Sequence, residues 1–149
     1  MRSAWLLPVT LVLTAGCGIG YNERSGGDAG RGDAQPARID SLLYDRVSAE
    51  DGDQTDWKSF KLESNATVSV NVWWDDPKNI GAVVELRDQF GKSLAKISHD
   101  RKQRKETLGP IKLPEGAYFL QFEAKDGASV YSFEILTGSG GVDDETPDL

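Results

Sequence analysis

From Asp56 to Trp74 the chain reads DWKSFKLESNATVSVNVWW, two runs of alternating apolar and polar side chains separated by Glu63-Ser64-Asn65-Ala66. Period two marks a half-buried strand. In the first run Lys58, Ser59 and Lys61 surround Trp57, Phe60 and Leu62; in the second, Val68, Val70, Val72 and Trp74 share one face while Ser69, Asn71 and Trp73 take the other. The pair is expected to form a hairpin on which the rest is built. Upstream, Ile39 to Ser48 suggests a helical turn and then a strand, followed by the polar turn Glu50–Asp56. Downstream, Gly81–Arg87 and Lys92–Ile97 flank the tight connection Asp88-Gln89-Phe90-Gly91 and are expected to form a second hairpin. Thr107–Leu113, Ala117–Glu123 and Ser129–Leu136 continue the alternation, with turns at Pro114-Glu115-Gly116 and Lys125-Asp126-Gly127. Seven to eight short strands without an amphipathic helix predict an all-β fold, an antiparallel sandwich.

The expected core is one face of these strands: Phe60, Leu62, Val68, Val70, Val72, Trp74, Val84, Leu86, Leu120, Phe122, Tyr131, Phe133 and Ile135. Each contributes about 1.5–3 kcal/mol when fully buried, so a domain spanning 39–137 needs no disulfide. Residues 138–149 form an acidic tail expected to be disordered. Residues 17–38 are rich in Gly, Asp, Ala and Arg, and are expected to be a flexible linker reaching on the order of 25 Å. Arg31-Gly32-Asp33 spells an adhesion tripeptide there, in a stretch where all three residue types are abundant.

The first 16 residues change the picture from a free domain to an anchored one. Arg2 precedes an apolar run from Ala4 to Ala15, too short to span a bilayer and of the length of a secretory signal. Its ending, Thr14-Ala15-Gly16-Cys17, resembles a bacterial lipobox, with Thr14 where such sequences favour Leu, Val or Ile. The resemblance implies a signal peptide over 1–16 and acylation of Cys17 by chains such as palmitate, each buried methylene adding about 0.8 kcal/mol of membrane affinity. Gly18 stands where an Asp would retain an enteric lipoprotein at the inner membrane, so the implied address is the cell envelope, at the outer membrane rather than the inner.

The net charge of −7 argues against a nucleic-acid binder. A single cysteine excludes a disulfide framework and a multi-thiolate metal site. Glu50, Asp51, Asp53 and Asp56 are candidate calcium ligands, being hard oxygen donors in one turn without the order of an EF-hand; no other cofactor is expected. Arg101, Lys102, Arg104 and Lys105 form a basic run suited to an anionic surface, or to guarding a sheet edge. Trp73 and Trp74 cannot both face the core, so one ring lies outside, and Trp73 and Trp57 are candidate aromatic contacts for a carbohydrate or protein ligand. His99, the one histidine, has no recognisable nucleophile partner, so catalysis is not expected.

Asp56-Trp57-Lys58-Ser59-Phe60, the strand and turn AVVELRDQFG over 82–91, Leu113-Pro114-Glu115-Gly116-Ala117-Tyr118 and Tyr131-Ser132-Phe133-Glu134-Ile135 resemble the landmarks of bacterial pre-peptidase C-terminal domains. The resemblance runs over residues 40 to 137 and departs from the family at Val83–Glu85, where an Asp-Leu alternation is usual. It implies a jelly-roll-like sandwich attached to secreted proteins. In calcium-binding relatives the ion lies where the chain enters the sandwich. The expected function is a lipid-anchored, non-catalytic binding or accessory module in the envelope, with a polysaccharide or an envelope protein as partner. The alternative is a scaffolding component docked to an envelope complex.

Overall fold

The computed structural model describes residues 26–139; the expected signal peptide, Cys17, the first part of the expected linker and the residues beyond Ser139 lie outside them. Eight strands are found among the described residues: β1 (Gln35–Pro36), β2 (Leu43–Ser48), β3 (Thr55–Leu62), β4 (Ala66–Trp74), β5 (Ile80–Asp88), β6 (Ser93–Ser98), β7 (Lys105–Leu113) and β8 (Gly116–Ser139). They form two layers. One has the order β1-β3-β8-β5-β6 and the other β2-β8-β4-β7, all antiparallel except the β1–β3 pair.

The alternation of side chains sends every residue of the expected core between the layers, where all thirteen are buried. Phe122 from the first layer stacks on Tyr131 from the second at 4.3 Å between ring centroids, and Phe133 and Trp74 complete an aromatic cluster around them. Contact of inner faces in this way defines a β-sandwich.

β8 belongs to both layers. Its 24 residues pair first with β3 and β5, then, beyond Gly127, with β2 and β4. The turn expected at Lys125-Asp126-Gly127 is therefore a bend within one strand, because neighbours on either side keep its hydrogen bonds in use through the change of layer. Gly127 has φ +65, and a Cβ there would run into the carbonyl oxygen of Asn79. Gly127→Ala is expected to cost about 2–4 kcal/mol, from the left-handed backbone and the overlap together, read as a fall in melting temperature.

Three expectations are corrected. The runs Asp56–Leu62 and Ala66–Trp74 are not a hairpin: β3 and β4 lie in opposite layers, and Glu63–Asn65 carries the chain across the end of the core. Strands that face each other across a core carry the same period-two pattern as strands that pair edge to edge. The segment from Ile39 to Ser48 has no helical turn; Asp40, at φ +56, bends the chain into β2. The linker expected through Arg38 ends earlier, because residues 28–37 form a strap on the sandwich. Asp28 accepts from the Trp57 amide at its carbonyl, β1 pairs with β3, the Ala37 amide donates to Ser59, and Asp28 and Ala37 are buried. Low apolar content hid this, since the strap is held by backbone pairing and one charge.

Candidate functional site

The outer face of the second layer concentrates exposed apolar surface. Leu42, Tyr44, Val130 and Leu136 all point outward from it, and they are four of the six large apolar side chains exposed among the described residues. Singly, such residues are ordinary; gathered on one sheet face they mark a contact surface. Register explains the gathering. Tyr44 on β2 pairs with Ser132 on β8, and Ser132 pairs with Trp73 on β4, so one rung runs Tyr44, Ser132, Trp73. The small central serine leaves a groove beside Trp73, with Tyr44 on the same rung beyond its lining. Its volume is about 460 Å³, and Leu42, Trp73, Asp75, Arg104, Ser132 and Glu134 contribute to its walls.

The polar groups at the groove are held in place. Asn71 donates its amide to Glu134 at 2.8 Å and accepts from the Thr107 hydroxyl at 2.7 Å. Arg104 donates to the Asp75 carbonyl at 3.1 Å. Lys105, opposite Trp73 on β7, places its ammonium 4.9 Å from the indole centroid and so backs the ring on the side away from Ser132. Behind the groove, buried Trp74 donates to Glu106 at 3.1 Å, and His99 lies between Glu106 at 3.0 Å and the Pro77 carbonyl at 2.8 Å. His99 is thus enclosed by Trp74, Glu106 and Pro77.

A second cluster is buried at the side of the core. Period two counted back from Leu62 and Phe60 turns Lys58 and Asp56 inward, Asp45 points inward from β2, and the strap supplies Asp28. The three carboxylates lie within 4.8 Å of one another. The Lys58 ammonium donates to Asp28 at 2.6 Å, to Gln35 at 3.2 Å and to Asp45. Burial alone would lower the Lys58 pKa, but the hydrogen bonds it donates to Asp28 and Asp45 outweigh this and hold the ammonium above its usual range. Burial raises Asp28 despite its bond to Lys58. Burial also raises Asp56, to about 8, against the hydrogen bond that Tyr131 donates to it at 2.7 Å. Its raised pKa favours the protonated form of Asp56, and Lys58 pairs with Asp28 and Asp45. One oxygen each of Asp28 and Asp56 is buried without a hydrogen-bond partner.

The residues singled out in the sequence are dispersed by the fold. Of Glu50, Asp51, Asp53 and Asp56, only Asp56 joins the carboxylate group; Asp51 and Asp53 pair with Arg46 on the far side of the turn. Burial raises Asp53 to about 6. The basic run is also divided: Arg101 pairs with Asp126, Arg104 and Lys105 flank the groove, and Lys102 is exposed. Trp57 lies on the outer face of the first layer, edge-on to Phe119 at 6.3 Å and under Arg87 at 5.8 Å. Arg31-Gly32-Asp33 forms an exposed 3-10 turn whose Arg31 rests over Phe119. Cys17 lies outside the described residues.

No family model matches the chain, and no curated protein matches it. Among solved structures it is similar to the pre-peptidase C-terminal domain of a collagenase from Bacillus anthracis, with a TM-score of 0.58 at 17% identity. That alignment covers 68% of this chain and 93% of the collagenase domain. A Yersinia pseudotuberculosis-derived mitogen aligns with a TM-score of 0.46 at 7% identity, over 70% of this chain and 90% of its own. Residues 26–139 thus form a β-sandwich whose fold is similar to that of the collagenase's pre-peptidase C-terminal domain.

Proposed function

We propose that this protein is a lipid-anchored module of the bacterial cell envelope, held by Cys17 at the outer membrane, that binds a ligand through the outer face of its second layer and performs no chemistry of its own. The observation that carries the reading is the concentration of Leu42, Tyr44, Trp73, Val130 and Leu136 on one sheet face around a groove with oriented polar groups. The ionisable groups of the interior suit a scaffold: Lys58 is consumed by Asp28 and Asp45, and His99 by Glu106 and Pro77. The fold is one that occurs as an attachment to secreted proteins, in keeping with a binding or accessory role.

A photo-crosslinking residue at position 44 should capture an envelope component in living cells, and one at Leu94 on the opposite sheet should not. Equal capture at both positions, or none at 44, overturns the assignment of the face. The spread of apolar surface to Leu136, beyond the groove, favours the second reading, a scaffold component docked to an envelope protein; capture of one protein in fixed stoichiometry is its signature.

The anchor has its own test. Growth with labelled fatty acid should label the protein, and Cys17→Ser should abolish the label and move the domain from the membrane to the soluble fraction. Retained label in the variant removes Cys17 from its role.

A further inference from the structure

We infer that the groove is a subsite for an extended β-1,4-linked glycan, a ligand class that rests on the reading of this face as the binding face. β2 and β4 both pair with β8, so Tyr44 and Trp73 stand two strand spacings apart, about 10 Å, on a single rung. In an extended β-1,4-linked chain alternate sugars present the same face, and their separation matches this gap. Tyr44 and Trp73 would each carry one of two alternate sugars on a flat ring, and the intervening sugar would pass over Ser132.

The ring faces are prepared for this. Lys105 holds Trp73 from its β7 side. Tyr44 is 70% exposed, so its ring loses water only when something covers it. An aromatic face carries negative charge density and attracts the weakly positive C–H groups of a pyranose face. Sugar hydroxyls, which both donate and accept, need both kinds of partner at the edges. Glu134 accepts and Arg104 donates within the same groove, and the bonds from Asn71 and to Asp75 limit the ordering cost of presenting them.

The same geometry disfavours a peptide strand. β8 and β4, which floor the groove, are paired on both sides, so a peptide strand could pair only along the outer edge of β2, at the side of the groove rather than in it. Acidic and basic groups are mixed at the groove, which suits an uncharged glycan better than a polyanion.

The test is calorimetric titration of the full-length detergent-solubilised chain with chitohexaose and with cellohexaose, alongside the corresponding disaccharides. At least one hexasaccharide should bind, with its disaccharide at least tenfold weaker because it cannot reach both rings. Trp73→Ala and Tyr44→Ala should each weaken binding at least tenfold with unchanged melting temperature, and Trp57→Ala, on the other layer, should leave it intact. Absence of heat with both hexasaccharides at millimolar concentration overturns the inference, and so does binding that survives Trp73→Ala and Tyr44→Ala. A position-44 crosslink to a protein, without glycan binding, would overturn the glycan assignment and leave the binding-module reading standing.

Discussion

Lys58→Met is expected to lose about 3–5 kcal/mol of stability, the cost of leaving buried carboxylates without their counter-charge. For a domain of roughly 100 residues this is a fall in melting temperature of about 15–30 °C. The loss arises because Asp28 and Asp45 were desolvated to meet the Lys58 ammonium, and methionine fills the same volume without offering them anything. Adding Asp28→Asn and Asp45→Asn to the Lys58→Met chain should recover most of the loss, since a neutral cluster carries no unpaired charge. Melts of the wild type in calcium, magnesium and chelator should superimpose, because the lysine already stands among the carboxylates. Lys58→Met, with Asp28 and Asp45 freed beside Asp56, should be raised by calcium more than by magnesium. A Lys58→Met chain that melts with the wild type would show that the cluster contributes nothing to stability.

Stability should also decline between pH 5 and pH 8.5. Asp53 and Asp56 have folded-state pKa values raised to about 6 and about 8, from an ordinary 3.8. The folded state therefore holds these protons more tightly than the unfolded chain. That contribution is complete below pH 3.8 and is lost as the pH rises through each raised value, at about 1.4 kcal/mol per unit for each group within its window. Lys58 acts in the opposite range: its raised pKa supplies stability that is lost only above its usual alkaline value. Asp56→Asn keeps an oxygen for the Tyr131 hydroxyl and has nothing to ionise, so its decline above pH 6 should nearly vanish. At pH 8.5 it should melt above the wild type. Parallel pH profiles for the two chains would exclude Asp56 as the titrating group.

The cluster shows how far the sequence could be read. Phe60 and Leu62 belong to the core, so period two already places Lys58 and Asp56 on the same inward face, and charges at inward positions were its visible signal. What pattern could not supply was their partners. Asp28 lies 30 residues away from Lys58 in a stretch whose composition resembles a tether, and Asp45 lies on another strand. The core residues were legible because burial imposes alternation strand by strand. The layer each strand joins was not, as β3 and β4 show, because pairing partners leave no mark on the alternation. The groove fell between these cases: Trp73 stood out as the outward ring of a Trp pair, while Tyr44 and Ser132 became its neighbours only through β8.

The strap of residues 28–37 gives the N-terminal side of the sandwich a mechanical character. Were the chain anchored at Cys17 as proposed, a pull from that end would reach the strap before strands β2–β8, and would be resisted first at the Lys58–Asp28 pair and the two-residue strand β1. Peeling it away exposes little of the core beyond Ala37 and lets out ten residues of chain, roughly 30 Å of added reach. A brief tug would thus lengthen the leash and spare the seven-strand body β2–β8, and the strap would settle back when the tension fell.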